Sequence, residues 1–266
     1  MKTLSVDAEK HPIENVLLIL LLFFSMVFMP VEGIMNFLFG EGNHVFLAII
    51  INRFIYSVVF AVFILLFGFK KLFYNFSKKG LIISLIALLI TISNFPFYSI
   101  INGNVVFTDD FLNKLFVYII SVFSIAVTEE FVFRGIIFIL LIKVLKDKKH
   151  SVVLSIFASS LIFALAHFAN VISAPIGVVC LQVLYSLFTG AVFAFALVLT
   201  KNIFVPIILH FVFNFGGLLT TKQFGLTIGS IGLNDYFITI VVGAILGFVL
   251  LYFLLKTKKD DITNLV

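Results

Sequence analysis

The amino-acid sequence predicts an all-α, polytopic membrane protein with about eight transmembrane helices around an intramembrane polar cavity. Hydrophobic residues make up 62% of the 266 positions and charged residues only 12%, whereas soluble domains carry about 25% charged residues. A soluble fold of this length could not cover so much apolar surface. Apolar segments of roughly 20 residues, long enough to cross a bilayer as a helix, also recur along the chain.

These segments predict a single transmembrane domain over residues 1–266. The first contains Pro30, where the helix is expected to bend. Acidic residues before this segment, and the lack of a cleavage motif after it, argue against a removed signal peptide. The predicted spans are 13–38, 44–69, 80–101, 111–143, 151–170, 175–200, 203–220 and 236–256.

Basic residues are concentrated in alternate loops between the predicted spans. If both termini are cytoplasmic, 14 of the 18 basic residues lie in cytoplasmic segments, as the positive-inside rule requires. The net charge of +5 therefore reflects membrane topology, and no nucleic-acid partner is expected. The expected surroundings are a lipid bilayer, which is the cell membrane if the source is prokaryotic.

Three charged residues interrupt the apolar sequence of the fourth predicted span. Each costs roughly 2.5–3.5 kcal/mol near a bilayer centre, so their presence requires a reason. Glu130 and Arg134 are four residues apart and share a helix face, where they can pair. Glu129 is rotated by about 100° and is expected to lack the arginine. Glu129 is then either available for catalysis or only the neighbour of a structural ion pair between Glu130 and Arg134.

Two later spans contribute histidines. His167 follows Phe163 by four residues in the fifth span, and His210 precedes Asn214 by four in the seventh. Each could serve only as a structural hydrogen-bonding group. Counted from the cytoplasmic ends at about 1.5 Å per residue, however, Glu129, His167 and His210 lie within about 10 Å of one another in height. The polar residues are therefore expected to converge in one intramembrane cavity.

A carboxylate and an imidazole can activate a water molecule, while a second imidazole and an amide can stabilise an oxyanion. These groups suffice to hydrolyse a peptide bond. Zinc is an alternative, since two histidines and a glutamate could bind it. The sequence lacks H-E-x-x-H, and asparagine is an unusual zinc ligand, so zinc is disfavoured and no cofactor is expected.

Arg53 lies in the second predicted span. We expect it to pair with Glu32 or Glu41 near the outer face, or to line the cavity, and the pairing is favoured.

The three motifs together resemble the CPBP family of intramembrane glutamic endopeptidases, also called the CAAX protease and bacteriocin-processing family. The family pattern is E-E-x-x-x-R, then F-x-x-x-H, then H-x-x-x-N or D, on three helices. The resemblance covers roughly residues 115–220, which is the expected catalytic core. The matching residues are Glu129, Glu130 and Arg134, then Phe163 and His167, then His210 and Asn214.

The resemblance implies a role for each residue. Glu129 would be the general base, acting with His167 on the attacking water, and His210 and Asn214 would form the oxyanion hole. Supporting roles fall to Glu130, Arg134 and Phe163.

The implied substrate is a membrane-associated peptide, and prenylated CAAX tails, bacteriocin- or pheromone-type precursors and other membrane peptides all remain open. The alternatives are a non-catalytic membrane scaffold or bacteriocin-immunity factor, a zinc-dependent intramembrane protease, and a transporter or proton relay. The sequence makes no prediction about oligomeric state.

Overall fold

The computed structural model describes residues 10–40 and 44–256, which form an α-helical bundle with one small sheet. The helices before the first strand are α1 (Pro12–Val27), α2 (Val31–Phe39), α3 (Val45–Leu66), a 3₁₀ turn (Lys70–Phe73), α4 (Lys78–Ile92) and α5 (Phe97–Ile101). Strand β1 (Val105–Phe107) precedes α6 (Phe111–Glu130), a π-helix (Phe131–Ile137) and α7 (Phe138–Val144). The remaining elements are α8 (Ser151–Ala166), a 3₁₀ helix (His167–Ile172), α9 (Ile176–Thr200), α10 (Phe204–Leu218), β2 (Thr227–Gly229) and α11 (Leu233–Lys256).

Four helices of the described residues are long and apolar enough to cross a membrane, namely Phe46–Leu66, Ser151–Ile172, Ile176–Thr200 and Leu233–Phe253. A fifth span results if α1 and α2 count as one helix, bent by 43° at the predicted proline. The protein is therefore an all-α integral membrane protein, but the predicted eight spans are not confirmed. The predicted third span is interrupted after Ile92, and the seventh is a helix of only 15 residues.

One end of the bundle gathers lysine-rich loops. The amide of Ser77 donates to the carbonyl of Thr200 at 2.9 Å, and Asn202 Nδ2 donates to the carbonyl of Asn75 at 2.8 Å. Lys201 ends α9 in a left-handed conformation with φ of 61°. This conformation satisfies free carbonyls at the helix C-terminus and reverses the chain. The loops after α3 and after α9 are thereby joined.

The opposite end carries the small sheet, which the sequence analysis did not predict. Strands β1 and β2 pair antiparallel, with Val106 opposite Ile228. Asp235, at the start of α11, accepts hydrogen bonds from the backbone amides of Tyr98 and Ser99 at the start of α5. A carboxylate at a helix N-terminus satisfies free amides and complements the helix dipole. These contacts join α5 and β1 to the last quarter of the chain.

The larger core lies between α1, α3, the π-helix, α7 and α9. A smaller cluster around Tyr118 and Leu219 packs α6 against α10. Tyr118 Oη donates to the carbonyl of Phe215 at 2.7 Å, which fixes the position of α10 beside α6. These two helices carry the glutamates and one of the histidines of the sequence motifs.

Candidate active site

The two glutamates end α6, and the chain continues directly into a π-helix of seven residues that contains Arg134. A π-helix is rare and occurs often at functional sites, because its wider turn changes the direction of neighbouring side chains. The sequence analysis assumed a regular α-helix here.

Glu130 and Arg134 form a buried ion pair, as the sequence predicts. Arg134 Nη1 donates to Glu130 Oε1 at 2.8 Å, and neither side chain is exposed. Arg134 Nη2 also donates to the carbonyl of Gly190 at 3.1 Å, and the guanidinium lies over the Phe163 ring at 4.3 Å from its centroid. A Cβ at position 190 would come within 3.3 Å of Arg134 Nη2. A small residue at this position of α9 thus lets the guanidinium reach the backbone.

His210 lies between the two carboxylates. Its Nδ1 is 2.7 Å from Glu130 Oε1, and its Nε2 is 3.8 Å from Glu129 Oε2. The imidazole stacks on the ring of Phe193 at a centroid distance of 5.0 Å. It is therefore oriented by a hydrogen bond on one side and an aromatic face on the other.

Glu129 has a cationic neighbour that the sequence analysis assigned elsewhere. Arg53 Nη1 lies 4.0 Å from Glu129 Oε1, so the arginine paired with Glu129 is Arg53, which lines the cavity, and the favoured pairing of Arg53 with Glu32 is wrong. The expected partner Glu32 is exposed and forms no ion pair with a described residue, and Glu41 lies outside the described residues. Glu129 is rotated away from Arg134 and points towards α3. Because Arg53 is on α3, it lies beside Glu129 at the site.

His167 begins the 3₁₀ helix that follows α8. Its Nδ1 is 2.9 Å from the carbonyl oxygen of Phe163. Because a carbonyl only accepts, Nδ1 carries the proton and Nε2 keeps its lone pair. The His167 ring packs edge-on against Phe163 at a centroid distance of 4.8 Å, and Phe163 also contacts His210 at 5.8 Å, so the two histidines flank one phenylalanine. The structure thus brings together the three predicted spans that carry the sequence motifs.

Asn214 lies one turn after His210 and is half-buried. Its side chain forms no hydrogen bond with any residue of 10–40 or 44–256. The neighbouring carbonyl of Phe213 accepts from Asn94 Nδ2 at 2.9 Å, which holds this turn of α10 against the end of α4. The Asn214 amide is therefore available to a ligand on the face it shares with His210.

No group of three or more His, Cys, Asp or Glu side chains is placed to hold a metal ion in the two described ranges.

The comparison with protein families concerns the same segment of the chain. Residues 111–216 match the family model described as Type II CAAX prenyl endopeptidase Rce1-like. This part of the chain is similar to that family, in agreement with the resemblance that the motifs carry. The match covers less than half of the 266 residues but contains all seven motif residues. The description of that family names an endopeptidase, which is a peptide hydrolase. No curated protein and no solved structure matches the chain.

Three contributors to this candidate site lie outside the motif positions, namely Arg53, Gly190 and Phe193. The charge of Arg53 inside an apolar span is a sequence signal, whereas Phe193 is one of 36 phenylalanines and carries no distinguishing signal. Their contribution follows only from the packing of α3 and α9 against α6.

Proposed function

We propose that the chain is an intramembrane glutamic endopeptidase that hydrolyses a peptide bond of a membrane-associated peptide. The substrate is a prenylated CAAX tail or a bacteriocin- or pheromone-type precursor. The observation that carries the proposal is the position of His210 between Glu129 and Glu130, with His167 and His210 both packed against Phe163, inside the segment that matches the CAAX protease family.

In the proposed mechanism, Glu129 and His167 hold the attacking water between them. The carboxylate of Glu129 removes a proton as the water oxygen bonds to the scissile carbonyl carbon. The His167 Nε2 lone pair faces away from the Phe163 hydrogen bond and can accept a hydrogen bond from the same water. The proton then passes to the leaving amine as the carbon–nitrogen bond breaks.

His210 and Asn214 are the proposed donors to the oxyanion of the tetrahedral intermediate. Because His210 Nδ1 donates to Glu130, its Nε2 can donate only when the ring carries both protons. Arg134 balances the Glu130 charge, so Glu130 is proposed to support His210 and to take no direct part in proton transfer.

The proposal places this catalytic core, residues 115–220, within one transmembrane domain and requires no metal. Both termini are proposed to be cytoplasmic, on the side of the lysine-rich loops.

The proposed activity is tested with purified protein in liposomes and a panel of membrane peptides, some prenylated, with cleavage sites determined by mass spectrometry. We expect cleavage by the wild-type protein and a fall of about 10²–10⁴-fold for Glu129→Gln and for His167→Ala. A chelator is expected to leave the rate unchanged.

Full cleavage by both variants would contradict the assigned roles. Loss of cleavage on chelation, restored by added zinc, would instead support a zinc protease. If no peptide in the panel is cleaved and binding survives Glu129→Gln, the result favours a non-catalytic scaffold or immunity factor.

A further inference from the structure

We infer that Arg53 on α3 is a positioning residue for Glu129, supplying the cation that balances and orients this carboxylate. The inference rests on the proposed function, since it concerns the proposed general base. It adds a fourth helix to a site that the three sequence motifs confine to residues 129–214.

The first support is the position of the Arg53 side chain. Its Nη1 lies 4.0 Å from Glu129 Oε1 and 3.4 Å from the sulfur of Met26 on α1. The two partner side chains of the ion pair are only 19% and 12% exposed. The guanidinium is thus held between α1 and the end of α6, where screening by solvent is weak.

The second support is the way α3 is fixed beside Glu129. Thr128, the preceding residue, has its Oγ1 2.8 Å from Ser57 Oγ and donates to the Arg53 carbonyl at 3.1 Å. One turn into the π-helix, a Cβ at Gly135 would lie 2.6 Å from Ile64 Cδ1 of α3. Contacts on both sides of Glu129 therefore set the distance between α3 and α6.

The third support is the balance of charge. Two carboxylates on consecutive residues cannot both stay ionised in a low-dielectric site without compensating cations. Arg134 compensates Glu130, and Arg53 is the guanidinium that lies beside Glu129. The formal charges of Glu129, Glu130, Arg53 and Arg134 therefore sum to zero.

The two arginines differ in a way that matches the proposed division of roles. Arg134 donates a hydrogen bond to Glu130 at 2.8 Å and so occupies one of its oxygens. The 4.0 Å separation between Arg53 and Glu129 is too long for a hydrogen bond. Arg53 therefore stabilises the carboxylate while leaving its lone pairs available to a water molecule.

The kinetic test compares Arg53→Gln, Arg53→Lys and the control Asn52→Ala in liposomes. Asn52 is the matched control because it contacts α1 through the carbonyl of the same Met26 but does not contact Glu129. We expect Arg53→Gln to lower kcat by about tenfold or more with KM unchanged. Arg53→Lys should recover most of the rate, and Asn52→Ala should match wild type. An Arg53→Gln rate within twofold of wild type, or a loss confined to KM, would overturn the inference.

A double-mutant cycle tests the pairing independently of catalysis. The thermal unfolding midpoint in detergent is measured for Arg53→Met, Glu129→Gln and the double variant. We expect the double variant to be less destabilised than the sum of the single variants, and additive effects would overturn the inference. If the wild-type protein cleaves no peptide but the cycle shows coupling between Arg53 and Glu129, only the proposed function is contradicted. Normal cleavage with additive effects would contradict only the role of Arg53.

Discussion

At the scale of single residues, the consecutive glutamates differ because their environments differ. Glu130 is fully buried, and the same oxygen accepts from Arg134 and His210. Glu129 is 12% exposed and lies at longer distances from its neighbours, 4.0 Å from Arg53 and 3.8 Å from His210. The first arrangement suits structural support and the second suits proton transfer.

This difference predicts opposite consequences for two isosteric substitutions. Glu130→Gln should lower the free energy of unfolding by about 3–5 kcal/mol, because it leaves Arg134 buried without its counter-charge. Glu129→Gln should cost less than Glu130→Gln, because the 4.0 Å separation between Glu129 and Arg53 is too long for a hydrogen bond. Thermal unfolding in detergent measures both, and equal midpoints for the two variants would contradict the assignment.

At the scale of helices, small residues set the closest approaches. A Cβ at Gly80 of α4 would lie 1.9 Å from the carbonyl oxygen of Leu199 on α9, so the two backbones are in direct contact there. Such contacts at glycine are typical of membrane helices, whose association depends on close packing because lipid weakens the hydrophobic driving force. The contact joins α4 to the helix that carries Gly190 and Phe193.

We expect Gly80→Ala to destabilise the protein, because a backbone atom cannot move aside as a flexible side chain can. The overpacking should cost about 1–3 kcal/mol. Gly33→Ala on α2 is the matched control, because nothing lies within 4 Å of its added Cβ and alanine favours a helix by about 0.5–1 kcal/mol. Unfolding midpoints measure both variants, and a Gly80→Ala midpoint at or above that of Gly33→Ala would contradict the expectation.

At the scale of the whole molecule, the two ends of the bundle differ in charge and in structure. The loops joined through Ser77, Thr200 and Asn202 lie among lysines, whereas the opposite end carries the sheet and Asp235. The positive-inside rule assigns the lysine-rich end to the cytoplasm.

This orientation predicts the labelling of two single-cysteine variants. Lys148→Cys and Ile228→Cys are placed in a Cys180→Ser background, because the natural cysteine is itself exposed. Position 148 is exposed near the lysine-rich end, and Ile228 is 69% exposed in β2. We expect an impermeant maleimide to label position 228 in intact cells and position 148 only after membrane disruption. Labelling of both positions in intact cells would contradict the topology.

Most of the site could be predicted from the sequence because its motifs consist of charged and polar residues in apolar helices, where each is costly. The pairing of Glu130 with Arg134 follows from helical periodicity alone. The number of spans was less predictable, because hydropathy does not reveal that the chain breaks after Ile92 or that α10 has only 15 residues. The sheet was missed because its two strands have three residues each and pair across more than 100 positions.

The sequence by itself determined the membrane class and the identity of the candidate motif residues, since each follows from composition or local spacing. Only the tertiary structure decided which groups face the first of the two glutamates. It placed His210 between Glu129 and Glu130, and it placed Arg53 beside Glu129. Those distances depend on how α3 and α10 pack against the end of α6, and side-chain contacts between distant helices are not encoded in the spacing of any one helix.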